Sequence, residues 1–237
     1  MAFDERDAFP SYYRYWGKAD RDDPLNKYHL LPYHCLDVAA VAAVWWEKSP
    51  IIQKAFCASH GLNQEKIRGW VLFFIALHDI GKFDIRFQRK VVGIWKKLQC
   101  PIRPSRLSAD DSRYYFHGPA GLYWMNHELE EFISGGKHCV SSAGEDVYDF
   151  DWDYDENEFY TIKSRQSWLE AVTGHHGHIV KAENNSQFPL PSDCPEQYTA
   201  FDKDARKNWI MQLEEMFLKP AGLSLEETPP LDVAFYP

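Results

Sequence analysis

The stretch Asn63-Gln-Glu-Lys-Ile-Arg-Gly-Trp70-Val-Leu-Phe-Phe-Ile-Ala-Leu-His78-Asp79-Ile-Gly81-Lys82 decides how the rest of the chain is read. Ile67, Trp70, Val71, Phe74, Ile75 and His78 recur at helical spacing and share one stripe, which predicts a helix from Gln64 to about Asp79. Asn63 is suited to cap its start and Gly81 to terminate it. Outward from this segment the same period returns. Tyr33 to Glu47 carries Leu36, Val38, Val41 and Trp45 on one face, with Pro50 just past its end. Asp84 can open a helix reaching about Leu98, before Pro101 and Pro104. Further helices are expected from about Pro119 to Ile133, Ser164 to His175 and Tyr198 to Leu218. Alternating strand patterns are nearly absent, and no repeat or Pro/Gly/Ser-rich boundary splits the chain. The expectation is an all-α fold, a single compact helical domain over residues 1–237, with residues 135–160 as an acidic surface excursion.

Composition narrows the class. With 45% hydrophobic residues in 237, the chain can bury a core and is not disordered. No apolar run is long enough to span a membrane, and the acidic N-terminus does not resemble a secretory signal, so a soluble cytoplasmic protein is expected. Five cysteines, scattered and without a Cys-x-x-Cys pair, exclude a disulfide framework and a zinc ribbon. The net charge of −9 is uneven: eight acids and no base lie between Glu145 and Glu158, leaving the remainder nearly neutral. Arg86, Arg89, Lys90, Lys96, Lys97, Arg103 and Arg106 form a stretch free of acids. It fits a phosphate-binding path, with Arg86, Arg89 and Lys90 as candidate nucleic-acid contacts, or equally a solvated helix face.

Chemistry is suggested by the histidines. His34, His78, His117, His175, His176 and His178 fall at or near predicted helix ends, where side chains of several helices can converge on one metal site. Imidazole and carboxylate without thiolate suit Mn, Fe, Co, Ni, Zn or Mg. Asp79, near a helix C-terminus, is disfavoured by the dipole and calls for a cation. Adjacent His78 and Asp79 diverge by about 100° on an ideal helix, so shared coordination requires the backbone to bend there. A carboxylate can bridge two ions and so serve an in-line phosphoester displacement. Taken singly, His34 and His78 also fit hydrogen-bonded core histidines. Lys82 fits either a contact to a substrate phosphate or a favourable charge beyond a helix end. His29, His60, His127 and His138 read as surface residues.

His78-Asp79-Ile-Gly-Lys82 resembles the HD superfamily of metal-dependent phosphohydrolases. Neighbouring segments narrow the resemblance: Tyr15-Trp-Gly-Lys18, His29-Leu-Leu-Pro-Tyr-His34-Cys-Leu-Asp37, Phe73 to Gln88, His117-Gly-Pro-Ala-Gly-Leu-Tyr-Trp124 and Ala171-Val-Thr-Gly-His-His-Gly177. Together they are similar to the HD nuclease domain of the CRISPR-associated helicase-nuclease of type I systems, most like subtype I-E. The resemblance implies an endo- or exonuclease cutting single-stranded DNA with two divalent ions. By motif, His34, His78 and Asp79 would hold one ion, and Asp79 would bridge to a second held by His117, His175 and His176. Asp79 and Lys82 would be the catalytic pair, Lys82 beside the scissile phosphate. The implied partners are a helicase motor, in the same or another chain, and the Cascade surveillance complex.

Two departures accompany the likeness. The family's further Asp, in an Ala-Asp-Trp-like helix after a Pro-Pro segment, has no counterpart, since Asp232 stands in another context; the expectation is a C-terminally truncated domain with a weaker first ion. No phosphate-binding loop of a helicase is present either. The rival readings are a phosphohydrolase of free nucleotides and an inert docking fragment. A basic stretch favours a polymer over a mononucleotide, which needs few cations.

Overall fold

The central helix begins where Asn63 sets it. The Asn63 side-chain oxygen accepts the Lys66 N–H at 2.8 Å, satisfying a donor that the first turn leaves orphaned. The helix runs Gln64–Ala76 and is apolar nearly all round because it lies inside the protein, with Trp70, Leu72, Phe73 and Phe74 no more than 2% exposed. It stops three residues short of the expected Asp79. Past Ala76 the bonds tighten to i−3: Ile80 N–H donates to Leu77 O at 2.9 Å and Lys82 N–H to Asp79 O at 2.8 Å.

The computed structural model describes residues 9–20, 27–57, 62–99, 107, 109–134, 156–177 and 196–230. After a 3₁₀ turn Ser11–Arg14 come β1 (Trp16–Ala19), β2 (Tyr28–Leu30), α1 (Leu31–Lys48), α2 (Pro50–Cys57) and the central helix, α3 (Gln64–Ala76). The turn Ile80–Lys82 leads to α4 (Ile85–Gln88), a 3₁₀ turn Arg89–Val91, and α5 (Val92–Gln99). Then follow α6 (Ala109–Arg113), α7 (His117–Ser134), α8 (Glu156–Thr173) and α9 (Glu196–Leu213), which continues as a π turn Glu214–Leu218. The fold is helical, as expected, with one small two-stranded sheet among the described residues. Among the described residues no helix is long and apolar enough to cross a membrane.

Several boundaries differ from the sequence expectation for local reasons. β1 and β2 pair antiparallel, with an irregularity between Trp16 and Lys18; strands of four and three residues are too short to display alternation. Pro50 does not merely follow α1; it opens α2, as proline can at a first helical turn. The single helix expected from Asp84 is broken into α4 and α5 by the turn Arg89–Val91. α8 starts at Glu156 and so takes in the end of the expected acidic excursion. Residues 135–155, Arg103, Arg106 and Asp232 lie outside the described residues.

The core joins α3 to its neighbours. Trp70, Phe74, Leu77 and Phe83 pack with Leu31, Leu122 and Trp209, and Trp168 of α8 stacks on Phe74 with ring centroids 5.1 Å apart. A second cluster, Trp16, Phe87, Ile94, Tyr115 and Ala120, lies under β1. A buried polar bracket accompanies them. Arg206 of α9 grips Glu128 of α7 through two 2.6 Å bonds and donates to Phe83 O at 2.7 Å. Asp202 accepts Tyr15 Oη–H at 2.7 Å and Ile85 N–H at 3.0 Å. Both contacts hold the segment that follows Lys82.

Candidate metal centre

Four separate segments deliver donors to one point. His34 lies in the first turn of α1, His78 and Asp79 in the tightened turn after α3, and His117 at the first residue of α7. His175 and His176 lie in the turn after α8, closed by Gly177 at φ 84°. Their approach depends on missing side chains. A Cβ on Gly81 would lie 1.9 Å from His117 O and 2.6 Å from Gly121 N, and one on Gly118 would lie 2.7 Å from Thr173 O. Gly81 is therefore not the helix terminator that its position suggested. It sits inside the Ile80–Lys82 turn, where α7 presses backbone against backbone.

Asp79 is the hub, 1% exposed. Its Oδ2 faces His34 Nε2 at 3.0 Å, His78 Nε2 at 3.3 Å and Lys82 Nζ at 2.6 Å. Its Oδ1 faces His117 Nε2 at 3.1 Å and His175 Nε2 at 3.5 Å. His176 Nε2 lies 2.9 Å from His117 Nε2. The bend anticipated at the helix end is what lets His78 and Asp79 face each other. Two sets of ligand atoms result, each mutually within 4.8 Å: His34, His78 and Asp79, and His117, His175 and His176.

Ring tautomers show what the cavity lacks. His78 Nδ1 and His175 Nδ1 each lie 2.9 Å from a carbonyl oxygen, of Ile75 and Val172. A carbonyl only accepts, so each Nδ1 carries the proton and, in the neutral ring, Nε2 bears a lone pair. Burial lowers the His175 pKa to about 4, outweighing the Val172 carbonyl and the Asp79 charge, so the ring is neutral at pH 7. Burial also lowers that of His117, against the pull of Asp79. Burial opposes ionisation of Asp79, but the His117, His34 and His78 rings set against it and the Lys82 charge hold its carboxyl far below the usual range. Nitrogen lone pairs thus face an ionised carboxylate whose buried Oδ1 makes no well-aligned hydrogen bond. A divalent cation among these atoms would resolve that conflict, and the donor set fits one.

The other expected residues take different places. Lys82, 6% exposed, turns inward and donates to Gly17 O at 3.0 Å as well as to Asp79. Arg86 departs from the expected exposed phosphate contact. It is buried, forked onto Asp84 at 2.6 and 2.9 Å, with its guanidinium 4.8 Å from the Tyr115 ring. The acid two residues earlier neutralises it, which the acid-free run beginning at Ile85 concealed. Arg89 donates to Leu107 O, and Lys90 to Tyr115 O at 2.6 Å. Lys90 shares the Phe87 ring with Lys82 and His117, at 5.5, 5.3 and 5.3 Å from its centroid. His29 and His127 stand away from the centre, beside Asp37 and Tyr123 O. Cys35 and Cys57 are free thiols. Burial and the Asp79 charge push the Cys35 pKa well up.

The family described as Cas3, HD domain, matches residues 16–235. The CRISPR-associated endonuclease/helicase Cas3 of Escherichia coli strain K12 is 44% identical over 222 residues, taking in 91% of this chain and 23% of that protein. The chain therefore spans about a quarter of that relative's length. The crystal structure of T. fusca Cas3 superposes with a TM-score of 0.60 at 21% identity, over 94% of this chain and 20% of that one. A chain of a CRISPR RNA-guided surveillance complex, pre-nicking, does so at 0.57 and 20% identity, over 92% and 22%. At such identities these two likenesses speak for the fold.

Proposed function

The chain belongs to the Cas3 HD-domain family, and from that premise we propose that it hydrolyses phosphodiester bonds of single-stranded DNA with two divalent ions. One observation carries this reading: a single buried carboxylate, Asp79, turns one oxygen to His34 and His78 and the other to His117 and His175. A bridging carboxylate between two donor sets is what a pair of ions requires. His34, His78 and Asp79 would hold one ion, and His117, His175 and His176 the other, with Asp79 shared. The ions would supply positive charge for the attacking and leaving oxygens of an in-line displacement.

The chain's own groups do the rest. The Ile75 and Val172 carbonyls fix His78 and His175 with Nε2 turned inward. Asp79 remains ionised, and the buried surround keeps its charge effective. Lys82 brings an ammonium beside the pocket for a substrate phosphate. Arg89 and Lys90 guide the strand, while Arg86 braces the Asp84 turn from within. The reading extends to a cytoplasmic module, residues 1–237 acting as one domain, fed by a helicase motor and recruited by the Cascade surveillance complex.

The test is cleavage of an end-labelled single-stranded oligodeoxynucleotide with Mn²⁺, Co²⁺, Ni²⁺ or Mg²⁺ in turn. The chain should cut, and His78→Ala and Asp79→Ala should not. Undiminished cutting by either variant removes the proposal. Turnover of free nucleotides with the oligonucleotide left intact replaces it by nucleotide hydrolysis.

A further inference from the structure

Gln88 has no assigned role, yet it is 0% exposed and every polar atom of its carboxamide is engaged. Its Oε1 accepts Trp16 N–H at 2.9 Å, while its Nε2 donates to Trp16 O at 3.0 Å and to Lys82 O at 2.9 Å. Its own carbonyl accepts the Trp16 indole N–H at 3.1 Å. One side chain therefore serves Trp16 as a neighbouring strand would, and ties β1 to the turn carrying Lys82.

This link bears on where β1 loses register. Trp16 pairs with Leu30 and Lys18 with His29, so Gly17 is the extra residue of a bulge. A bulge takes a peptide out of the ladder and re-aims it. Here the Gly17 carbonyl turns to Lys82 Nζ at 3.0 Å. The same glycine lies against α1: a Cβ there would come within 3.0 Å of His34 Cβ and Leu31 Cα. The ammonium is thus held between two acceptors, Gly17 O and Asp79 Oδ2, and Gln88 fixes the first while holding the carbonyl of Lys82 itself.

We propose that Gln88 is a positioning residue for Lys82: it pins the β1 bulge so that Gly17 O aims the ammonium along Asp79. The activity arm of its test rests on the nuclease reading, and the spectroscopic arm does not. Gln88→Met removes the polar atoms at similar length. Gln88→Glu keeps the acceptor for Trp16 N–H but turns an oxygen toward the Trp16 and Lys82 carbonyls.

In the metal-free chain with ¹⁵N-labelled lysine, the buried, hydrogen-bonded Lys82 ammonium should give a slowly exchanging ¹H–¹⁵Nζ correlation, and both variants should lose it. With Mn²⁺ and the oligonucleotide, kcat should fall at least about tenfold, as for a misplaced catalytic group, with KM within about twofold. In a Lys82→Met background Gln88→Met should change kcat by less than about twofold, because residues acting through one another are non-additive. A further large fall in that background, or a retained Nζ signal in both variants, overturns the proposal. Loss of the fold in both variants, read by circular dichroism, also overturns it, leaving Gln88 a core residue only. Loss of the Nζ signal in both variants, with a wild-type chain that shows it yet cuts nothing, sinks the nuclease reading and upholds the positioning.

Discussion

Replacing Gly81 by alanine inserts a methyl carbon 1.9 Å from His117 O, where real Cβ contacts essentially never fall below 3.0 Å. The obstacle is backbone on both sides, His117 O and Gly121 N, so no side chain can swing away. Relief requires the start of α7 to retreat by about 1 Å or more, since tightly packed interiors yield little otherwise. His117 travels with it and leaves its 3.1 Å approach to Asp79 Oδ1, whereas His34 and His78 lie on other segments and stay. Overpacking of this kind costs about 1–3 kcal/mol, a fall in Tm of a few degrees for a chain of this length. Loss of positioning by ~1 Å costs on the order of a hundredfold in rate. The assay pairs calorimetric ion titration with oligonucleotide cleavage, using Gly69→Ala as control. A Cβ there would crowd Phe217 O at 2.9 Å, away from the centre. Gly69→Ala should destabilise and bind ions normally; Gly81→Ala should lose the ion at His117. A Gly81→Ala chain that binds and cuts like wild type refutes the argument that this close approach assembles the centre.

Other outcomes follow from the same geometry. The metal-free chain should lose thermal stability as pH falls from about 6.5, the unfolded value for His, towards about 4, the folded value for His175, because the unfolded chain binds more protons in that window. Asp79, held below the carboxylate range, continues the loss at lower pH. A Tm constant between pH 7 and pH 5 after dialysis against chelator contradicts this. Arg206→Met leaves the buried Glu128 carboxylate without its guanidinium and Phe83 O without its donor, and should cost about 3–5 kcal/mol in urea unfolding; a loss below about 1 kcal/mol would mean that water reaches Glu128. On the proposed two-ion reading, stepwise chelation should strip the ion at His34 and His78 first, since three donors would serve it and four, counting Asp79, would serve its neighbour. Equal release of both ions argues against that asymmetry.

The parts legible from sequence were those with local signals. Asn63 and the apolar stripe fix the start of α3, and the glycine- and turn-flanked positions of His34, His78, His117, His175 and His176 mark them as residues at element ends. What escaped is held by distant partners. β1 takes much of its support from Gln88, 72 positions away, and nothing within Trp16–Ala19 announces it. Arg206 and Glu128 are 78 positions apart, each resembling an ordinary surface charge on its own helix. Gly81 stands where a helix terminator belongs, so its tertiary reason for being glycine is hidden behind a local one. Arg86 looked solvent-facing because charge counts along a run ignore the acid just outside it.

Since the converging donors are spread from His34 to His176 on four segments, their assembly has a schedule during synthesis. A nascent polypeptide whose residues 175 and 176 are still inside the ribosome has the hub carboxylate and the first histidines, but only His117 of the second set of ligands. On this layout the second donor set is completed only after α3 and α7 can already have packed, so their packing can prepare the place that His175 and His176 then fill.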